Sequence, residues 1–329
     1  MSTAQTGGSA PQATEAGQAA QAGTPAAAPK KSMKKLLLLL GGVWIGGVIV
    51  LYAIFGSGGR NNDFKPQNEF KLDSWIGIHI GGLDLSFNKA VMYLLLAAIA
   101  TCVSMIYVAN RMQARPNKVQ TAVELLYGLM RDNITGGNLD EKMARRWFPF
   151  IATLFLFILF SNLVGYIPLP TNTEHKIDIF GAHIPSFSLF AATANLSIPL
   201  VLALLVFISY TVEGVRKKGP IGYLKGLVPG GVEGGMAVFI FGLELLSNIM
   251  RLMSLSIRLF ANILAGHLII LFMAGALAVI LGVSALAWFT IPAGILLFAF
   301  EVGLVAALQA FIFATLTAIY LGGAVAEDH

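Results

Sequence analysis

The sequence predicts an all-α polytopic membrane protein of about six transmembrane helices, the last two long and strongly tilted. Three observations lead there. Of the 329 residues, 56% are hydrophobic and only 12% charged, where soluble domains carry about 25% charged residues. Apolar runs of about 20 residues, the length that spans a bilayer, recur along the chain. Lys and Arg cluster in alternate connecting segments, as they do in the cytoplasmic loops of multi-pass proteins. The net charge of +5 reflects that clustering and is no pointer to nucleic acid. The alternating strands of a membrane β-barrel are missing from the pattern. The single cysteine, Cys102, lies inside an apolar run and reads as a buried free thiol.

Taken in order, residues 1–35 form an Ala- and Gly-rich tail that reads as disordered and ends in Lys30, Lys31, Lys34 and Lys35. The apolar run 36–55 reads as an extra N-terminal transmembrane helix. A cleaved signal peptide is the alternative, opposed by the length of the run and its distance from the N-terminus. Residues 56–89 are a polar external segment with Pro66, Gly81 and Gly82, and Trp75 suits a membrane interface. The main membrane domain spans 90–321, and 322–329 are a short C-terminal tail.

Within that domain a first span, Ala90 to Val108, stops at Arg111, Arg115 and Lys118. Residues 120–133 are amphipathic, with Val123, Leu126, Tyr127 and Met130 on one face, and suit the membrane surface or a partner. A span from Trp147 to Ile167 ends at Pro168 and Pro170, because proline breaks the helical hydrogen-bond ladder. After a polar segment to Ser188 comes a span from Ala191 to Thr211, then a basic loop with Arg216, Lys217, Lys218 and Lys225. Met236 to Met273 is one long helical pattern. A hairpin through Gly275 and Thr290 leads to a last helix, Ala293 to Tyr320. With every run crossing once, the basic segments share one side and both termini are cytoplasmic. The last two helices exceed a perpendicular crossing, hence the tilt.

Ionisable residues inside apolar runs are costly and mark functional paths. Arg258 is the strongest case. Ser254, Arg258, Asn262 and Gly266 recur every four residues and form a stripe, with Glu244 and Arg251 close to it. Ala261, Ala265 and Gly266 let another helix approach closely. His267 lies nine residues after Arg258, about 13–14 Å along the axis and half a turn round, so the two face different spaces. Glu301, in the last helix, is flanked by apolar residues; Gln309 follows eight residues later. Asn262, Ser254 and Gln309 also fit simple interhelical hydrogen bonding, and Glu244 and Arg251 fit interface anchoring. Glu174, His175 and His183 do not have diagnostic metal-ligand spacing. No cofactor or metal site is expected. The chain has no GxxxxGK[ST] phosphate loop, HExxH or GxSxG, so nucleotide hydrolysis and proteolysis by those motifs are excluded.

The string SIRLFANILAGHLI, from Ser256 onward, resembles the signature helix of the a subunit of F-type ATP synthases. LQAFIFATLTAIYL (Leu308–Leu321), SNLVGYIPLPT (Ser161–Thr171) and ATANLSIPLVLALLVF (Ala192–Phe207) resemble the same family, in the same order. The resemblance implies a stator for a rotating c ring, with two aqueous half-channels. Arg258 would be the essential ion-translocation arginine, facing each ring carboxylate as it passes. His267 and Glu301 would act as a pair on the outer path, with Glu244, Asn262, Gln309 and Ser254 along the route. The c ring, the peripheral-stalk b subunits and the remaining synthase subunits would be partners, in the bacterial inner membrane. One departure stands out: the family's acid lies seven residues before the glutamine, whereas Glu301 lies eight before Gln309. One residue rotates a side chain by ~100°, so either a local bulge absorbs it or Glu301 reaches the path from another side. A second is Leu252, after Arg251, where the family often has proline; it implies a straighter helix. Two other readings remain. A secondary transporter would show paired, interrupted segments in matching halves, and no such repeat is visible. A non-catalytic assembly protein would explain the spans but not the intramembrane Arg, His and Glu together.

Overall fold

The structure is a computed structural model that describes residues 86–113, 116–179, 182–228, 234–273 and 287–326, with scattered positions between 38 and 84 and residue 232. The chain separates into two compact units, 1–50 and 51–329. In the first, the described positions 38, 41–43, 45, 46, 49 and 50 are all helical. Most of the expected span 36–55 lies outside the described residues, as do the tail 1–35, the hairpin between 274 and 286, and residues 327–329.

The second unit opens with short antiparallel pairings: β1 (Ser74–Ile76), β2 (His79–Ile80), β3 (Leu83–Asp84) and β4 (Phe87–Asn88), with β1 on β4 and β2 on β3. Helix α1 (Lys89–Arg111) follows. Its N-cap is Asn88, whose side-chain oxygen accepts from the Val91 amide at 3.1 Å and satisfies one of the open amides of the first turn. Helix α2 (Lys118–Gly128), capped by Asn117, runs into a π-helical segment, Leu129–Thr135. Helix α3 (Glu141–Gly165), the most buried of the spans, contributes Ile151, Phe155 and Ile158 to the core.

A long antiparallel hairpin, β5 (Leu169–Ile179) and β6 (Ala182–Ser188), follows. A 3₁₀ turn (Ala192–Ala194) leads to α4 (Ser197–Lys218), short α5 (Pro220–Lys225) and the 37-residue α6 (Gly235–Leu271). The last helix is α7 (Ala287–Phe300), a π-helical segment (Glu301–Val305) and α8 (Ala306–Val325). Five helices among the described residues are long and apolar enough to cross a membrane. The chain is thus a multi-pass helical membrane protein.

Several expectations shift. The span beginning at Ala191 starts at Ser197 and continues past Thr211 to Lys218, because Ala192–Ala194 form a tight turn first. The span expected from Trp147 begins at Glu141, because the basic residues before Trp147 extend the helix out of the apolar zone. The first runs on to Arg111, and the last to Val325. The polar segment before Ser188 is a β-hairpin, stabilised by backbone pairing that no hydrophobic pattern announces. Cys102 is exposed. Hydrocarbon, not only protein, can satisfy an apolar run, and α1 packs on one face alone.

Small residues set the packing. A Cβ on Gly165 would overlap Ala191, and one on Gly214 would overlap the Tyr223 ring. Lys217 donates to the Val325 carbonyl at 2.9 Å, satisfying an open group at the end of α8. The Arg146 guanidinium lies 2.9 Å from Glu213 Oε1 and joins α3 to α4. Glu213 is 7% exposed, and its other carboxylate oxygen has no partner.

Removing a partner from a buried charge costs more than the pair contributes. Arg146→Ala should therefore destabilise the chain by about 1–3 kcal/mol, and adding Glu213→Leu should recover part of that loss. Thermal unfolding of the three proteins in one detergent checks it; equal losses in the single and double variants would refute it.

Candidate functional site

Helix α6 sorts its polar residues by angle. Ser254, Arg258 and Asn262 are exposed on one side, and His267 is buried on the other, 2% exposed. A nine-residue step is ~900°, half a turn beyond two full turns, so this opposition follows from the spacing. The Arg258 guanidinium is 3.5 Å from Ser254 Oγ, one turn earlier. Gly266 does not continue the exposed stripe; it is buried. Each four-residue step advances ~40° beyond a full turn. Three steps from Ser254 therefore carry Gly266 round toward the bundle.

The inward side holds a compact cluster. His267 Nδ1 lies 3.0 Å from the Ile263 carbonyl oxygen, and Nε2 lies 3.2 Å from that of Gly165. A neutral imidazole has one N–H and donates to one of these carbonyls; a protonated ring donates to both. The Tyr166 ring stacks on His267 with centroids 4.7 Å apart and planes 28° from parallel. The Tyr166 hydroxyl donates to Glu301 Oε2 at 3.0 Å. Tyr166 thus touches both members of the pair that the resemblance implies, stacking on His267 and donating to Glu301. Phe298 closes the other edge of Tyr166, centroids 5.7 Å apart at 90°.

The position of Glu301 depends on two local features. A π-helical segment begins at Glu301 and ends at Val305. Such a segment absorbs one residue relative to an α-helix. Eight regular residues would set Glu301 and Gln309 about 80° apart, and an effective seven brings them within about 20°. The bulge left open by the sequence is present. The other is the lack of a side chain on α6: a Cβ at Gly266 would overlap the Glu301 carboxylate. Gln309 is buried, 4% exposed. Just past the bulge, Asn162 of α3 donates to the Ala306 carbonyl at 3.3 Å and accepts from Thr193 at 2.8 Å.

Toward the other end of α6, Glu244 pairs with Arg251 at 3.3 Å, and Tyr210 donates to Asn248 at 3.3 Å. These groups, with Tyr223 and Tyr320, line a partly open cavity of about 260 Å³. Glu244 and Arg251 therefore belong to one polar pocket, away from Arg258 on the same helix. The side chains of Glu174, His175 and His183 lie outside the described residues.

Tyr166 is the residue that sequence reasoning missed. It lies inside the SNLVGYIPLPT string, but a tyrosine at a helix end before a proline reads as an interfacial aromatic. Asn162 and Thr193 lie in the quoted strings too, with nothing in their spacing to pair them.

Fold and site together define a multi-pass helical membrane protein with intramembrane Arg, His and Glu on two adjoining helices. The family model described as ATP synthase A chain matches residues 90–322. ATP synthase subunit a of Hyphomonas neptunium is 31% identical, aligned over 80% of this chain and 96% of its own length. That of Maricaulis maris is 34% identical, over 81% of this chain and 99% of its own. That of Rubrobacter xylanophilus is 34% identical, over 77% and 90%. The chain belongs to the ATP synthase A chain family, membrane-sector subunits of F-type ATP synthases. Its setting is therefore ATP synthesis linked to proton transport, alongside other ATP synthase subunits.

The Gly266 contact can be checked without any activity. Gly266→Ala should lower stability by about 1–3 kcal/mol through overpacking against Glu301. Gly242→Ala, on the same helix with open space at its Cβ, should be neutral or stabilising by up to ~1 kcal/mol. Thermal unfolding of both side by side decides it; equal effects would remove the close approach.

Proposed function

We propose that this chain is the proton-conducting stator of its synthase, and that α6 separates two proton paths by its two faces. The observation that carries the reading is the opposition of exposed Arg258 and buried His267 on one helix. A proton arriving from outside meets His267 and Glu301, whose neighbours Tyr166 and Gly165 offer hydrogen-bond partners to both. From there it reaches a carboxylate on a ring of c subunits that passes the outer face of α6. The carboxylate, once protonated, enters lipid at low cost, because burial favours the neutral form. After a turn of the ring it returns to Arg258, whose permanent positive charge favours the ionised carboxylate. The released proton leaves by the polar pocket of Glu244, Arg251 and Asn248.

Ser254 steadies the guanidinium, and Asn262 extends the same polar face by one turn. Gln309 is buried on the Glu301 side of the last helix and extends the same route. The exposed α6 face, with small Ala261 and Ala265, takes the c ring, and peripheral-stalk b subunits pack elsewhere on the bundle. The domain division is 1–35 tail, 36–55 extra helix, 56–89 external segment, 90–321 membrane domain and 322–329 tail. The basic clusters support a cytoplasmic side for both termini, and kinship with bacterial subunits supports the bacterial inner membrane.

Arg258→Ala should abolish gradient-driven ATP synthesis while the complex still assembles. Passive proton leakage should rise, since a neutral gap no longer repels a proton. Arg258→Lys should be severely impaired, because lysine is a point charge whose proton is less secure when buried. Synthesis in reconstituted vesicles, with subunit blots for assembly, is the measurement. Near-normal synthesis in Arg258→Ala with assembly intact would demote Arg258 to a packing residue.

A further inference from the structure

We infer that Tyr166 is a positioning residue for proton transfer, holding Glu301 and His267 in one unit. The inference rests on the reading of His267 and Glu301 as proton-path groups and adds a residue to it. Three observations carry it.

The first is that one side chain touches both groups in different ways. Its hydroxyl is 3.0 Å from Glu301 Oε2, and its ring face lies against the imidazole, centroids 4.7 Å apart. The second is that Tyr166 is itself held. It caps the end of α3, its amide bonded to the Leu163 carbonyl at 3.2 Å. Its ring is 4% exposed, bounded by His267 on one face and Phe298 at an edge. A buried tyrosine hydroxyl has a strong requirement for a partner, and the partner here is the carboxylate. The third is that Glu301 has been brought to this hydroxyl by two accommodations in other helices: the π segment that starts at Glu301, and the missing Cβ at Gly266. Both give the carboxyl group its place beside it.

The consequence is positional. A glutamate on a helix has three side-chain torsions and samples several rotamers. The hydroxyl restricts it to the one that faces the imidazole region, and the stacked ring keeps the imidazole from swinging away from the Gly165 carbonyl. Protons moving between the two groups then cross a fixed separation. Without the hydroxyl both groups remain, but their mutual geometry does not.

The test uses the whole complex in proteoliposomes, with Tyr166→Phe, which keeps the ring and its stack and removes the hydroxyl alone. Passive proton conduction through the membrane sector should fall by about tenfold, the scale of one lost hydrogen bond to a charged group. In acid-minus-neutral difference infrared spectra, the carboxyl band that vanishes in Glu301→Gln should shift in Tyr166→Phe. Parental conduction in Tyr166→Phe would overturn the inference. So would a fall in conduction with the Glu301 band unmoved, since that is a structural effect alone. Glu301→Gln serves as the reference for the underlying reading. If it conducts normally, that reading fails and this inference with it; if it blocks conduction while Tyr166→Phe does not, only the role of Tyr166 falls. Should Tyr166→Phe fail to assemble, the unaltered complex decides. A carbon–carbon cross-peak between Tyr166 Cζ and Glu301 Cδ in solid-state magnetic resonance supports the contact, and its absence overturns it.

Discussion

A charge inside hydrocarbon must have somewhere to look. Insertion of an arginine at mid-bilayer costs roughly 2.5–3.5 kcal/mol on translocon scales, and the polar residues of α6 are arranged around meeting such costs. Helix α6 meets them by angle. Its exposed side carries Arg258 with Ser254 and Asn262, and its buried side carries His267 with Gly266. Nearer its start the same helix carries Glu244, Asn248 and Arg251 in the polar pocket, and most of its other residues are apolar, which lipid or protein can cover. A one-residue slip in that spacing would turn the imidazole about 100° toward a different neighbour.

The buried side is the more demanding, because protein must supply every partner. Irregular backbone recurs there for that reason. The end of α3 exposes the Gly165 carbonyl to His267 and offers Tyr166 as the next residue. The last helix gives up regular hydrogen bonding over Glu301–Val305 and regains it at Ala306, whose carbonyl receives the Asn162 amide. Asn162 also accepts from Thr193, so α3, the 3₁₀ turn and the last helix are tied at one level. Buried polar groups linked in this manner fix relative helix positions that leucine packing alone would leave loosely specified.

Much of this is legible in the sequence. The spans follow from apolar length, and the opposition of Arg258 and His267 follows from nine residues at ~100° each. The eight-residue interval between Glu301 and Gln309, one longer than in the resembled family, left a bulge or a different approach open, and a π segment begins at Glu301. What was not legible depends on contacts between distant segments. Tyr166 is 101 residues from His267 and 135 from Glu301, and nothing in its neighbourhood marks it as their partner. Gly266 read as a residue for helix approach, and its space is filled by a carboxylate instead. The β5–β6 hairpin was hidden because its register comes from backbone pairing across a polar segment. Helix boundaries drifted where charged residues extend a helix beyond the membrane, as Glu141 to Arg146 do.

The distance along α6 carries the final step. Arg258 and His267 are separated by about 13–14 Å of axis and half a turn, with Leu259 and Ile263 buried between them at 1% and 0% exposure. Those two side chains offer a proton no step, since aliphatic groups neither donate nor accept. In the proposed reading, a proton at the His267 cluster does not pass along the helix to the outer face by itself. Under the proposed reading, something outside the chain has to close the gap, and a moving carboxylate on a neighbouring ring does so. The separation that makes α6 a poor conductor is then what makes it a useful stator, because a proton that could cross unaided would do no work on the ring.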